Sequence, residues 1–330
     1  MNRTALSRRS LLASATALAL SGLSRPDFAR ADDFKMGLLV PGSIGEEGWN
    51  RIAFDALKRV EKELGAKISY VELPENPAAF EKAFRDYAGQ GYDVVLGHGF
   101  QFQDAALTAA EDFPDTVFLI SSSSLYKGKV IGLNTDASQP FYLMGAIAAA
   151  MGKGAGLIGG MEIPPISQAF EGFRNGAKSV NPDFPVSTVY LGSFTDASAA
   201  KEAAFSMISQ GSDFVVPNAN SAGMGVIQAA REASTPAATF SVYSDYTNAA
   251  PKNVLGTFLA DYGQGIVRIV SDIKNGSVPA SNVEFGLKDT DVIKFTYNDA
   301  ATRPVPADLR KTIDDISSKI VAGEIRTRAK

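Results

Sequence analysis

The chain has no cysteine, one histidine and one tryptophan in 330 residues. Without cysteine there is no disulfide framework and no thiolate nucleophile or thiolate metal site. A single histidine, His98, leaves a His-based metal cluster or a catalytic triad almost nothing to draw on. No cofactor is expected. Basic residues are in the minority, at 32 Lys+Arg against 36 Asp+Glu. Five of the basic residues (Arg3, Arg8, Arg9, Arg25, Arg30) and one acidic residue (Asp27) lie in the first 31 positions, so removing those positions takes the formal charge from −4 to −8. That balance lacks the basic face that nucleic-acid phosphates demand. No apolar run reaches the roughly 20 residues needed to cross a bilayer.

The first 31 residues read as a signal. Arg8 and Arg9 sit in a Ser-Arg-Arg-Ser-Leu-Leu context, Leu11 to Leu23 runs without a charge, and Ala29-Arg30-Ala31 supplies small residues for cleavage. A charged start, a short apolar run and an A-x-A end are the parts of a secretory signal. The arginine pair matches a twin-arginine export signal. A mature protein beginning near Asp32 would then work in the periplasm, with no direct membrane insertion.

From residue 34 onward, short apolar runs alternate with helical periods. Strands are expected at 34–40, 68–73, 93–97, 117–121 and 130–134, with helices over 52–64, 78–90 and 104–112 between them. A second series comes after, with strands at 156–160, 186–191, 214–217 and 239–244 and helices over 141–151, 168–180, 199–210 and 225–233. Such alternation means parallel sheets covered on both faces, and two series mean two sheets. The expected first lobe is 34–136 with 246–276, and the second is 137–245 with 277–330. Residues 284–288 and 292–297 look like a hairpin, and 308–321 like a closing helix.

Ligands of open parallel sheets bind beyond the carboxyl ends of the strands. The segments there contain Trp49 and Asn50, then His98 and Phe100, then Phe170 and Phe173 past Met161-Glu-Ile-Pro-Pro165, then Asn218 and Asn220, and finally Tyr243 and Asp245. Aromatic faces with amides and a carboxylate suit a flat, neutral, hydrogen-bonding ligand. Basic residues are scarce and there is no Gly-rich phosphate loop with Lys, so a phosphate is not expected. Glu46 and Glu47 read as a solvated rim rather than an acid–base pair.

Several of these segments together resemble the basic membrane protein family of substrate-binding proteins, whose members serve purine nucleoside importers. The resemblance rests on Gly45-Glu-Glu-Gly-Trp-Asn50, Gly97-His-Gly-Phe100, Phe141-Tyr-Leu-Met-Gly145, Gly159-Gly-Met-Glu-Ile-Pro-Pro-Ile-Ser-Gln-Ala-Phe-Glu-Gly-Phe173, Gly223-Met-Gly-Val226 and the acidic strand end at Asp245. It implies an α/β fold of the periplasmic binding protein-like type I, with two doubly wound parallel-sheet lobes joined by a multi-segment hinge. It implies also a purine held between two aromatic rings, at Trp49 and Phe170, and a membrane permease of an ABC importer as partner. The protein is expected to be a monomer. Two departures concern the sugar. Tyr243 stands where the family places an acidic residue on the ribose, and no Lys occurs over 256–262. A free base is therefore the expected ligand, read by Asn50 or Asp245. The rival readings are a periplasmic nucleoside hydrolase or other glycosidase, which would need two facing carboxylates, and a ligand-sensing domain for a membrane receptor.

Overall fold

The computed structural model describes residues 33–45 and 49–329. The signal expected over 1–31 and the rim residues Glu46 and Glu47 lie outside the described residues. Of the unit Met1–Phe34 only the last two residues are described; Lys35–Lys330 forms one compact unit.

The first sheet is laid down by strand–helix repeats. In chain order they are β1 (Lys35–Pro41), α1 (Trp49–Leu64), β2 (Lys67–Leu73), α2 (Pro77–Gly89), β3 (Val94–Gly97), α3 (Gln103–Ala110), β4 (Val117–Ser121), a two-residue β5 (Tyr126–Lys127) and β6 (Val130–Thr135). β1, β3, β4 and β6 are buried almost throughout, as expected for parallel strands covered on both faces. β2, at the sheet edge, alternates instead. Helix α2 shows how local sequence sets a boundary. Asn76 caps it by accepting from the Ala78 and Ala79 amides, and Pro77 occupies the first turn, where its missing N–H costs nothing.

The second layer set continues with α4 (Ser138–Met151), β7 (Ala155–Gly159), α5 (Pro164–Val180), β8 (Val186–Tyr190), α6 (Ala197–Ser209), β9 (Phe214–Asn218), α7 (Gly223–Glu232), β10 (Thr239–Tyr243) and β11 (Val254–Ala260). The chain then gives α8 (Tyr262–Lys274), β12 (Val283–Phe285), β13 (Ile293–Tyr297) and α9 (Ala307–Val321). The first sheet runs β2-β1-β3-β4-β6-β12. The second contains β8-β7-β9 and β10-β11-β13, joined by a parallel bridge between Phe214 and Ala238.

Two expectations need correction. The chain does not return to the first lobe at 246: β11 pairs in parallel with β10 in the second sheet, and the crossing comes after it, before α8. Nor do 284–288 and 292–297 form a hairpin. β12 pairs with β6 in the first sheet, while β13 pairs antiparallel with β11 in the second. A short apolar strand signals that it pairs, and nothing in it says with which sheet. The lobes are thus 35–136 with α8 and β12, and 137–260 with β13 and α9.

Among the described residues three crossings join the lobes, at residues 136–137, 261 and 286–292. They are tied to one another: the Asp136 amide donates to the Phe285 carbonyl at 2.8 Å, and the Asp261 amide to the Val292 carbonyl at 2.7 Å. The C-terminal tail completes the cluster. Arg328 donates from Nε to Asp136 (3.2 Å) and from Nη2 to Glu284 (2.8 Å), and the Ala329 amide donates to Glu171 on α5. Hydrogen bonds to charged groups contribute about 1.5–3 kcal/mol, and 1 kcal/mol moves the Tm of a 150–250-residue domain by about 2–4 °C. Arg328→Ala is expected to lower the Tm by roughly 3–10 °C in a calorimetric scan. An unchanged Tm would mean that the tail does not brace the crossings.

Candidate functional site

The carboxyl ends of β1, β3, β4, β7, β9 and β10 converge on one cleft of about 330 Å³. Trp49, Asn50, Phe100, Ser122, Phe194, Asn218, Tyr243 and Tyr246 are among the residues that line it. Glu75 is the one charged residue among the described lining residues. A phosphate or carboxylate in this cleft would find no countercharge there.

Trp49 opens α1, and its position is set from below. Its indole stacks on the His98 ring, with centroids 4.3 Å apart and planes inclined by 25°. Tyr262 meets it edge-on at 5.0 Å, and Tyr243 stands 6.0 Å away. His98 is fully buried at the end of β3. Its Nε2 lies 3.0 Å from the Trp49 carbonyl and its Nδ1 3.0 Å from Ser121 Oγ. A carbonyl can only accept, so Nε2 carries the proton, Nδ1 accepts and the Ser121 hydroxyl donates. The Trp49 amide donates to Asn220 Oδ1 at 3.0 Å, so the start of α1 is bonded to the opposite lobe.

The loop after β1 is shaped by Asn50. Its Nδ2 donates to the Pro41 carbonyl at 2.9 Å and the Ser43 carbonyl at 3.2 Å. Gly42, at φ +92°, makes the turn possible. Among the described residues three that are not glycine, Ser122, Asn220 and Tyr243, also have positive φ (57°, 50° and 66°). They lie just beyond or at the ends of β4, β9 and β10, and all three line the cleft. Such residues cost on the order of 1–3 kcal/mol each, Asn least, and concentrate where ligands bind.

Phe194, absent from the residues singled out by sequence, supplies the second lobe's ring. It comes after β8, and its ring lies so close to Gly160 that a Cβ there would come within 2.3 Å of Phe194 Cδ1. Its carbonyl accepts from the Ala222 amide (3.0 Å) and the Ser221 hydroxyl (3.2 Å). The signal that could have found it is its place: Gly192-Ser-Phe194 stands just past the carboxyl end of β8, where ligands of a parallel sheet bind.

Phe170 does not line the cleft. It is fully buried, 5.9 Å from Tyr190 and 6.0 Å from Phe141. Phe173 is buried too, because residues three apart share a helix face. The face they share is drawn hard against α4: a Cβ on Gly145, Gly172 or Gly176 would lie 2.0–2.2 Å from the Phe173, Ser138 or Tyr142 carbonyl. His98 also fails to reach the cleft and instead supports Trp49. Asp245 turns away, accepting from the Thr247 amide at 2.8 Å and the Thr257 hydroxyl at 3.4 Å, and the Thr247 contact holds its carboxyl below the usual range. Trp49, Asn50, Phe100, Asn218 and Tyr243 do line it.

Two lobes of parallel sheet, three tied crossings and a ligand-sized cleft at the strand ends define a hinged binding protein. The chain belongs to the PnrA-like family of ABC transporter substrate-binding proteins, whose profile matches residues 34–330. It is 26% identical to a purine-binding protein of Brucella abortus over 298 residues, covering 89% of this chain and 83% of that one. It is 32% identical over 206 residues to an ABC transporter nucleoside-binding protein of Lactococcus lactis, covering 60% of this chain and 59% of the relative. A solute-binding protein of an ABC transporter from Conexibacter woesei has the same fold, with a TM-score of 0.69 at 26% identity over 89% of this chain and 98% of that one.

Burial pushes the His98 pKa down to about 3, although the Trp49 carbonyl pulls it up. An unfolded histidine titrates near 6.5. As pH falls from about 6.5 toward 3, the unfolded chain therefore takes up a proton that the folded chain refuses. His98 then lowers stability by up to about 1.4 kcal/mol per pH unit in that window and contributes no slope above it. Because His98 is the only histidine, its ring resonance is unambiguous in NMR. It is expected not to shift between pH 8 and pH 5. A midpoint near 6.5 would show that the ring is solvated and does not support Trp49.

Proposed function

We propose that this protein is the periplasmic binding component of an ABC importer, and that its ligand is a free purine base stacked between Trp49 of one lobe and Phe194 of the other. The observation that carries this reading is the lining itself, aromatic on both lobes and nearly without charge. It favours a flat, neutral heterocycle. The relative named for purine binding supports the ligand class. The signal read in residues 1–31 supports export, by the twin-arginine route, and delivery to a membrane permease. The protein acts as a monomer and carries out no bond chemistry.

The base is preferred over the nucleoside for two reasons. Tyr243 lines the cleft where the family places an acid on the ribose. The alternative acid, Asp245, is bonded into its own loop. One observation favours the nucleoside. A second cavity of about 290 Å³ shares Phe100, Ser122 and Pro165 with the cleft, and Gln103, Ser124, Asn134 and Gln168 give it a polar lining suited to hydroxyls.

Calorimetric titration of adenine against adenosine, and of hypoxanthine against inosine, decides between them. The bases are expected to bind at least as tightly as their nucleosides. Stacking on an aromatic side chain is worth ~1–3 kcal/mol per base, so Trp49→Ala should weaken base binding roughly 5- to 150-fold. Nucleosides binding tenfold tighter would restore the sugar site, and no purine binding in either series would remove the ligand class.

A further inference from the structure

Asn218 ends β9 and lines the cleft, and only 5% of its surface is exposed. Its Nδ2 is fully buried and has no hydrogen-bond partner among the described residues. It lies beside the Tyr243 hydroxyl and favours that hydroxyl's ionised form, but the two do not meet in hydrogen-bond geometry, and burial keeps the phenol protonated. Buried polar atoms are almost always paired, and one left over at a cavity wall calls for an explanation.

The other two asparagines that line the cleft are committed. Asn50 Nδ2 holds the loop after β1, and Asn220 Oδ1 receives the Trp49 amide. Asn218 has no comparable structural task for its amide hydrogens. Its place is fixed by the backbone: its carbonyl accepts from the Gly160 amide at 3.0 Å, and it pairs with Gly159 in the register of β7 and β9. A donor held rigidly by a sheet and left unpaired, on a side chain that lines the cleft, is arranged for a ligand acceptor.

We infer that the Asn218 amide donates to one edge acceptor of the stacked heterocycle, a ring nitrogen or the 6-oxo group, and that this bond selects which purine fits. The inference rests on the purine reading above. It assigns discrimination between bases to a neutral donor, in keeping with a lining whose one charged residue among those described is Glu75.

The test uses the full mature protein and calorimetry. Adenine, hypoxanthine and guanine are titrated first. The tightest binder is then compared with analogues that each lack one acceptor, every ring nitrogen replaced in turn by C–H and the 6-oxo group removed where present. One analogue is expected to bind wild type about 10- to 100-fold more weakly, the range for leaving a buried donor unpaired. In Asn218→Leu, which is similar in size and has no polar atom, the parent base should fall to the level of that analogue, and the difference between them should vanish. Asn218→Asp, similar in shape but unable to donate, should lose the same discrimination and covers the case in which the leucine variant misfolds. Among the described residues the Asn218 amide nitrogen makes no hydrogen bond for either variant to break, so Asn218→Leu should melt no lower than wild type. Parent binding unchanged in both variants, or the same analogue ratios in wild type and variants, overturns the assignment while leaving the purine reading intact. Failure of wild type to bind any of the three bases overturns both.

Discussion

The stack of Trp49 on a buried, neutral His98 is the contact on which the cleft depends. It joins the end of β3 to the start of α1 through a ring face, and it joins the same residues again through the bond from Nε2 to the Trp49 carbonyl. Ser121, at the end of β4, fixes the tautomer. The ends of β3 and β4 are thus locked to the start of α1 and its indole before any ligand arrives. A protonated imidazole could not accept from Ser121, and its charge would sit in an apolar layer at high cost. The neutrality of His98 is therefore a structural requirement, which explains why a lone histidine at a strand end serves as a support rather than as an acid or base.

From that support the geometry spreads to both lobes. The Trp49 amide reaches Asn220, whose left-handed backbone lies just past the end of β9, and Tyr243 completes the aromatic nest from β10. The strained backbone at Ser122, Asn220 and Tyr243 is held by sheets that are themselves closely packed. The glycine contacts between α4 and α5 show how little slack the second lobe has. The lobes can move as units because, among the described residues, three segments cross between them. Those segments are bonded to each other and braced by Arg328, which favours hinge motion over local melting.

Much of this was legible in the residues. Hydrophobic runs and helical periods placed most elements to within a few positions, because parallel strands buried on both faces leave a strong apolar signature. The rule of carboxyl strand ends led to Trp49, Asn50, Phe100, Asn218 and Tyr243. It went wrong at Phe170 and His98 for a shared reason: composition marks a residue as aromatic or polar, but burial depends on the neighbouring helix or strand. Phe170 was taken from the cleft by the glycine-mediated approach of α4. β11 and the separate fates of β12 and β13 were not legible either, since pairing partners are set by tertiary topology. Phe194 was legible from its place beyond β8 and was missed.

The central claim is that the ligand stacks on Trp49, and the uniqueness of that residue makes it directly testable. Trp49 is the only tryptophan in the chain, so its fluorescence reports one ring and nothing else. Titration with adenine, monitored by emission, is expected to give a saturable change whose midpoint matches the calorimetric Kd, and Phe194→Ala should shift both midpoints together. Heat of binding with no change in Trp49 emission would contradict the account and place the ligand elsewhere.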